Sequence, residues 1–314
     1  MTEAHPTSAP SPGDRSEPTA RRADLLAKVL PWVARAAWVA VAIVGGVAIE
    51  SAVDGRSSPV RWTAAVGGWA VFAIVAVALL IPSVRSLTAA RVLSPLAVGA
   101  AIATGIAGAP GAEVALLAVP VIIAVAAIFS PEVGRWMVQA SAYGDEDRLP
   151  LRIPVAAGAG AVVTWFVWAA AAFVGPLALA AQNWVLGTIA AIAAVAGAAF
   201  VGPRWHRVSK RWLVLVPAGL VVHDPVVMAD TVMVRTSQLV GMSLARADTE
   251  AADLTGPASG YALQVDVSET VTTVFAFTPQ EPNGRAIHMT SFLVAPTRPG
   301  EALRLAAGRG LPVH

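Results

Sequence analysis

Long apolar stretches between residues 32 and 203 constrain the fold more than any other feature of this sequence. This part of the chain carries 15 Asp, Glu, Lys and Arg side chains, whereas the shorter part from residue 204 to 314 carries 19. Only 13% of all residues are charged, about half the share of a typical soluble protein. We therefore predict a helical membrane block followed by a soluble domain. The composition excludes an ordinary cytosolic enzyme and a disordered protein.

Six segments have, or approach, the roughly 20 apolar residues that a membrane-spanning helix requires. They are residues 30–53, 62–81, 92–108, 114–129, 154–181 and 184–202. The third and fourth are short and closely spaced, so they could be two tilted spans or one re-entrant hairpin, and we favour two spans. The predicted membrane block is thus residues 29–203. Residues 1–28, rich in Pro, Ser, Thr and charge, are predicted to be a disordered tail.

Lys and Arg in the short loops predict the orientation, because cytoplasmic loops carry an excess of them. One side would carry Arg15, Arg21, Arg22, Lys28, Arg35, Arg85, Arg91, Arg135, Arg148, Arg152, Arg204, Arg207, Lys210 and Arg211. The opposite side would carry only Arg56 and Arg61. We therefore predict a multi-pass protein of the plasma membrane with both termini in the cytoplasm. Gly45-Gly46, Gly67-Gly68 and Ala156/Gly160 are candidate points of close helix contact.

Residues 204–314 have the pattern of a β-rich cytoplasmic domain. Two strands at 212–216 and 220–223 flank Pro217-Ala218-Gly219, which fits a tight turn closed by a left-handed glycine. Further strands are predicted at 231–235, 238–244, 261–267, 272–277 and 286–294, with a loop at 245–259 and a helix at 301–309. In the strand at 261–267, alternation places Tyr261, Leu263, Val265 and Val267 on one face.

This order of elements resembles the bacterial pleckstrin-homology-like domains. The resemblance rests on the hairpin Trp212-Leu-Val-Leu-Val-Pro-Ala-Gly-Leu-Val-Val, the strands near Val232–Val234 and Gln238–Val240, and residues 291–309. It implies a bent antiparallel sheet closed by a C-terminal helix, acting as a binding or scaffolding module. The whole chain also resembles a group of uncharacterised multi-pass membrane proteins from high-GC Gram-positive bacteria. The hairpin turn lacks the basic residues that phosphoinositide-binding members use, so inositol-phosphate binding is not expected.

The residues just after the last apolar segment form a basic cluster. Its members are Arg204, His206, Arg207, Lys210 and Arg211. They could serve only to keep positive charge in the cytoplasm, or they could also attract anionic lipid of the inner leaflet. Arg204, Arg207, Lys210 and Arg211 are therefore candidate contacts to the membrane surface.

Catalytic and metal-binding motifs are absent from the sequence. The chain has no cysteine, and its five histidines have no metal-ligand spacing. We predict no cofactor and no catalytic site. His223, Asp224 and Asp230 could form a catalytic or metal arrangement, but a strand end followed by a turn is favoured. Asp145-Glu146-Asp147 could bind a divalent cation, although a solvated loop is favoured. A net charge of +2 gives no reason to expect a nucleic-acid partner.

Three functional hypotheses follow from the sequence. The first is a non-catalytic scaffold that displays its cytoplasmic domain to a protein partner. The alternative is a transporter or lipid-handling protein with a regulatory domain, and Glu50 is then the candidate intramembrane functional acid. The third is a membrane enzyme that uses His223. The sequence predicts no particular oligomeric state.

Overall fold

The structure is a computed structural model and describes residues 12–276 and 284–314. Its helices are α1 (Pro12–Val53), α2 (Ser58–Leu80), α3 (Val84–Ile106), α4 (Gly111–Phe129), α5 (Pro131–Gln139), α6 (Val155–Ala180), α7 (Trp184–Ser209) and α8 (Pro299–Gly308). In the described ranges, six helices are long and apolar enough to cross a membrane: α2, α3, α4, α6, α7 and the part of α1 from Asp24. They have the number and length expected of a multi-pass membrane protein.

The helix bounds differ from the prediction in three places. Helix α3 begins at Val84, before the predicted start at 92, and the third and fourth apolar segments form two separate helices of 23 and 19 residues, each long and apolar enough to cross a membrane. Helix α1 begins at Pro12, so residues 12–28, which the sequence analysis places in a disordered tail, are part of the first helix in the structure. Residues 1–11 lie outside the described residues. Helix α7 continues to Ser209, beyond the predicted end at 202.

The strands form two four-stranded sheets. They are β1 (Asp147–Pro150), β2 (Trp212–Val216), β3 (Gly219–His223), β4 (Val232–Arg235), β5 (Leu239–Leu244), β6 (Ala252–Asp253), β7 (Leu263–Val274) and β8 (Ala286–Val294). The first sheet has the order β1-β2-β3-β4 and is antiparallel throughout. The second has the order β5-β7-β8-β6, in which β6 runs parallel to β8. The predicted fold class, a helical membrane block with a mainly β C-terminal region and a terminal helix, is confirmed.

The hairpin between β2 and β3 lies where the sequence predicts it, and Val216 pairs with Gly219 across the turn. Gly219 has φ +143°, which is positive but lies outside the left-handed helical region that we predicted. A Cβ at this position would collide with the backbone of Val234 and Arg235 on β4. The glycine therefore allows β4 to approach the turn closely.

The second sheet differs from the prediction along β7. Leu263, Val265 and Val267 are buried as the alternation predicts, but Tyr261 is 75% exposed and precedes the strand. The two strands predicted at 261–267 and 272–277 are one strand, in which the register shifts between Asp266 and Val271. Residue 277 lies outside the described residues. The short strand β6 falls inside the predicted loop 245–259.

Strand β1 comes from the loop between α5 and α6 and not from residues 204–314. It pairs along its length with β2. Leu149 and Leu151 are buried in the same apolar core as Leu213, Leu215 and Phe292. The β-rich region is therefore larger than residues 204–314, because one of its edge strands is inserted between two candidate membrane helices.

The helical block and the first sheet share a second apolar core. Trp212 and Val214, on the face of β2 opposite Leu213, belong to the same buried cluster as Trp38 of α1, Leu79 of α2 and Met137 of α5. Burying these side chains removes apolar area from water and stabilises the contact by about 25 cal/mol per Å². The first sheet is thus packed directly on one end of the helical block.

Candidate functional site at the junction of the helical block and the β-rich region

Helix α5 is the element that connects the two parts of the molecule. It starts after Ser130, whose hydroxyl accepts a hydrogen bond from the Val133 amide at 3.2 Å, a typical N-cap. Val133 and Met137 face the core of the helical block. Its polar side chains, including Glu132 and Arg135, are left to face the β-rich region.

Two ion pairs join α5 to the start of α8. Glu132 pairs with Arg298, and Arg135 pairs with Glu301. Glu132 is only 6% exposed, so its pairing is screened less by solvent than that of a surface residue. Burial lowers the pKa of Arg135, while Asp147 and Asp24 act in the opposite direction and Arg304 adds to the lowering.

The acidic run Asp145-Glu146-Asp147 lies at the same junction. Arg309 of α8 hydrogen-bonds Asp145 at 2.8 Å and Asp147 at 2.9 Å, and Arg148 binds Glu146 at 2.7 Å. The hydrogen bond to Asp145 is the largest cause of a raised pKa of Arg309. Each carboxylate is thus paired with an arginine. The described ranges contain no group of three His, Cys, Asp or Glu side chains placed to hold a metal ion.

A cleft of about 540 Å³ opens between α1, α5, β1 and the start of α8. Asp24, Lys28, Glu132, Arg135, Arg298 and Glu301 line it. The three acidic and three basic side chains balance, so the cleft has no strong preference for an ion of either sign. Because residues 24–28 of α1 contribute to the lining of the cleft, this part of α1 lies beside the β-rich region, at the same end of the helical block.

A buried ion pair stabilises the point where the chain leaves α7. The Arg211 guanidinium donates to both carboxylate oxygens of Asp224, at 2.7 and 2.6 Å, and also to the carbonyl of Arg152. Asp224 in turn accepts the amides of Val226 and Val227 at 3.1 and 3.2 Å. The start of β2, the turn after β3 and the entry into α6 are thereby held together.

The predicted membrane-surface cluster is divided by the structure. Arg204 and Arg207 are exposed in the last turns of α7, and Lys210 is exposed just after it. Arg211 is instead 2% exposed, so its assignment to the membrane surface is wrong. It lies two residues after the end of α7, where its carbonyl accepts the Leu151 amide at 3.0 Å, and its side chain is directed at Asp224 and not at solvent.

The residues of the enzyme hypothesis are not brought together. The His223 ring stacks on Trp212 at 5.1 Å, and its Nδ1 lies 3.1 Å from the Thr231 hydroxyl. The Asp224 carboxylate is paired with Arg211, and Asp230 is exposed. Burial lowers the pKa of His223, and Lys210 and Arg148 lower it further, whereas Asp224 raises it. This arrangement indicates a packing role for His223.

Glu50, the acid proposed for transport, is exposed near the end of α1 that lies away from the β-rich region. Its side chain therefore does not line an enclosed path through the helices. Glu113 lies in the first turn of α4, where a carboxylate suits the helix dipole.

Sequence reasoning missed α5, β1 and the ion pairs that they make with α8. The available signals were weak. Ser130-Pro131-Glu132 is a typical helix start. The segment Asp147-Arg148-Leu149-Pro150 shows no apolar alternation that would indicate a strand, because Leu149 is its one large apolar residue. The ion pairs Glu132–Arg298 and Arg135–Glu301 could not be read from the sequence, because the two partners of each pair are 166 positions apart.

Comparison of the chain with protein-family models, with curated proteins and with solved structures gives no match.

Proposed function

We propose that this protein is a non-catalytic scaffold of the plasma membrane, with its termini and its β-rich region in the cytoplasm. It would hold that region in a fixed orientation and present its outer surface to a protein partner. The observation that carries the proposal is the shared core of Trp212 and Val214 with the membrane helices. A module joined in this way cannot swing freely on a linker, so its outer surface keeps one direction relative to the membrane.

The outer surface has features of a protein-binding face. Met233 on β4, Val240 and Leu244 on β5, and Tyr261 before β7 are each at least half exposed. Aromatic and Met side chains are enriched at protein interfaces. Met233 lies on β4, and Val240 and Leu244 lie on β5, and these are edge strands of the two sheets, which are elements that partner chains often use.

Two further features support the proposal. One antiparallel sheet, one mixed sheet, the hairpin and the terminal helix lend support to the pleckstrin-homology-like resemblance, although β1 is supplied from an earlier loop and β6 is parallel to β8. The basic residues of the loops predict that the β-rich end faces the cytoplasm.

Site-specific photo-cross-linking in intact cells tests this function. A photoreactive amino acid would replace Tyr261 or Met233, and Phe166, which is 63% exposed on α6, would serve as the lipid-facing control. A scaffold gives a discrete protein adduct, of one mass, at Tyr261 and Met233 but not at Phe166. If adducts form equally at all three positions, or at none, the β-rich surface has no specific partner.

A further inference from the structure

A groove of about 310 Å³ lies on the outside of the helical block, between α3, α6 and α7. It lies at the β-rich end, because α3 begins and α7 ends there. The side chains that define it are Arg85, Thr88, Val92, Leu93, Trp168 and His206.

The lining of the groove is mostly apolar, and its polar side chains lie at the β-rich end. Arg85 is one residue from the start of α3, and the Thr88 hydroxyl lies 2.8 Å from Nδ1 of His206. Lys210 and Arg85 both lie close enough to His206 for their charges to act on its ring. The groove then continues past Val92 and Leu93, about 11 Å farther along α3 at 1.5 Å per residue.

This polarity matches that of a lipid in the bilayer. A phospholipid places a charged phosphate at the level of the helix ends and an acyl chain beside the apolar middle of the helices. Arg85 is the charged side chain among the described residues that line the groove at its β-rich end, and it is basic and exposed. Lys210, exposed just after α7, adds a second positive charge that acts on His206 of the groove. None of the described residues that line the groove is acidic.

We propose that this groove binds one anionic phospholipid from the leaflet at the β-rich end. Arg85 and Lys210 contact its phosphate, and one acyl chain lies along Val92 and Leu93. The inference goes beyond the scaffold proposal and does not depend on it, since it requires only that the helices lie in a membrane. The basic side chains favour an anionic headgroup by charge complementarity. The apolar part of the groove favours a phosphate that is attached to an acyl chain.

Native mass spectrometry of the full chain, released from nanodiscs of equal phosphatidylglycerol and phosphatidylcholine, tests the headgroup site. The wild type should retain one phosphatidylglycerol in preference to phosphatidylcholine. A basic residue near an anionic surface contributes about fivefold in affinity, so the double variant Arg85→Gln/Lys210→Gln should retain it about 25-fold less strongly. The matched control, Arg56→Gln/Arg61→Gln, removes two arginines outside the groove and should bind like the wild type.

A second variant tests the acyl channel. Gly202 lines the groove, and a Cβ built there meets nothing within 4 Å, so Gly202→Leu should fill the groove without disturbing the fold. The variant should lose the retained lipid. Gly160→Leu is the control, because Gly160 of α6 also has open space around its Cβ.

Three outcomes would overturn the proposal. One is equal retention of phosphatidylcholine and phosphatidylglycerol, because the groove would then not distinguish the two headgroups. Another is unchanged retention in both groove variants. The third is displacement of the lipid by millimolar inorganic phosphate alone, which would make this a simple anion site.

Discussion

Arg211 is the residue on which the connection between α7 and the first sheet depends most. Its guanidinium is 1% exposed and the Asp224 carboxylate is fully buried. A paired buried charge is not in itself strong stabilisation, because both ions lose their hydration. Losing one partner is different, since the other then remains buried and uncompensated.

Replacement of Arg211 by Met should lower the free energy of unfolding by about 3–5 kcal/mol. The substitution keeps an unbranched side chain. The Asp224 carboxylate is then left with backbone amides as its only hydrogen-bond donors. Pulse proteolysis of the full chain in detergent across a denaturant series measures the change. Arg235→Met, at an exposed position of β4, is the control and should change stability by less than about 0.5 kcal/mol. Equal effects of the two substitutions would contradict a special role of the pair.

His223 should make the stability of the β-rich region depend on pH. Its pKa in the folded chain is lowered, first by burial and then by Lys210 and Arg148, whereas the unfolded value is about 6.5. As the pH falls below 6.5 the unfolded chain therefore takes up the proton first, and folding stability decreases until the pH passes the folded pKa. Above pH 6.5 His223 makes no pH-dependent contribution.

Thermal unfolding of the wild type and of His223→Gln between pH 7.5 and 5 measures this dependence. The wild type should lose more stability than the variant over that range, and the difference isolates His223 from the other histidines. Parallel curves for the two proteins would show that the folded and unfolded pKa values are equal. His223→Gln should leave the amount of folded protein at pH 7.5 unchanged.

At the scale of elements, α6 and α7 form a hairpin whose contact is closer than the sequence suggests. A Cβ on Gly175 would lie 2.8 Å from the Ala191 nitrogen, and one on Gly187 would lie 2.7 Å from the Leu179 nitrogen. Of the glycines that the sequence offers as close contacts, Gly46, Gly67 and Gly160 have open space around a Cβ, whereas Gly45 and Gly68 approach only the side chains of Leu117 and Ile49. Spacing of small residues does not identify the contact face, because Ala and Gly occur throughout these helices.

Gly175→Leu should destabilise the α6–α7 hairpin by at least about 1–3 kcal/mol, because the new side chain would force two backbones apart. Gly160→Leu, the same change on the same helix, should be neutral. Denaturant titration of both variants in detergent, with helix content read by circular dichroism, makes the comparison. An equal loss in the two variants would contradict the close packing seen at Gly175.

Hydropathy was sufficient to predict the long helices, and alternation was sufficient for most strands of the β-rich region. Both patterns reflect the local surroundings of a side chain, such as lipid around Ile192 or the sheet core around Val265. The junction depends on pairings over long distances in sequence, including Arg309 with Asp147 and Arg211 with Asp224. In the sequence Arg211 is one member of a basic cluster, and only the structure shows that its side chain is buried against Asp224.

At the scale of the whole molecule, an even number of spans brings the start of α1 and the β-rich region to the same end of the helical block. The cleft at the junction shows this arrangement directly, because Asp24 and Lys28 line it together with Arg298. The end of α1 and the turn between α3 and α4 lie at the other end. The scaffold account requires the β-rich end to face the cytoplasm.

Labelling of single cysteines in intact cells tests that requirement most directly. The chain has no cysteine of its own, so Tyr143→Cys and Gly111→Cys each introduce the only thiol. Tyr143 is 92% exposed beside β1, and Gly111 is exposed at the start of α4. A membrane-impermeant maleimide should label Gly111→Cys in intact cells and Tyr143→Cys only after the membrane is opened. Labelling of Tyr143→Cys from outside intact cells would contradict the account.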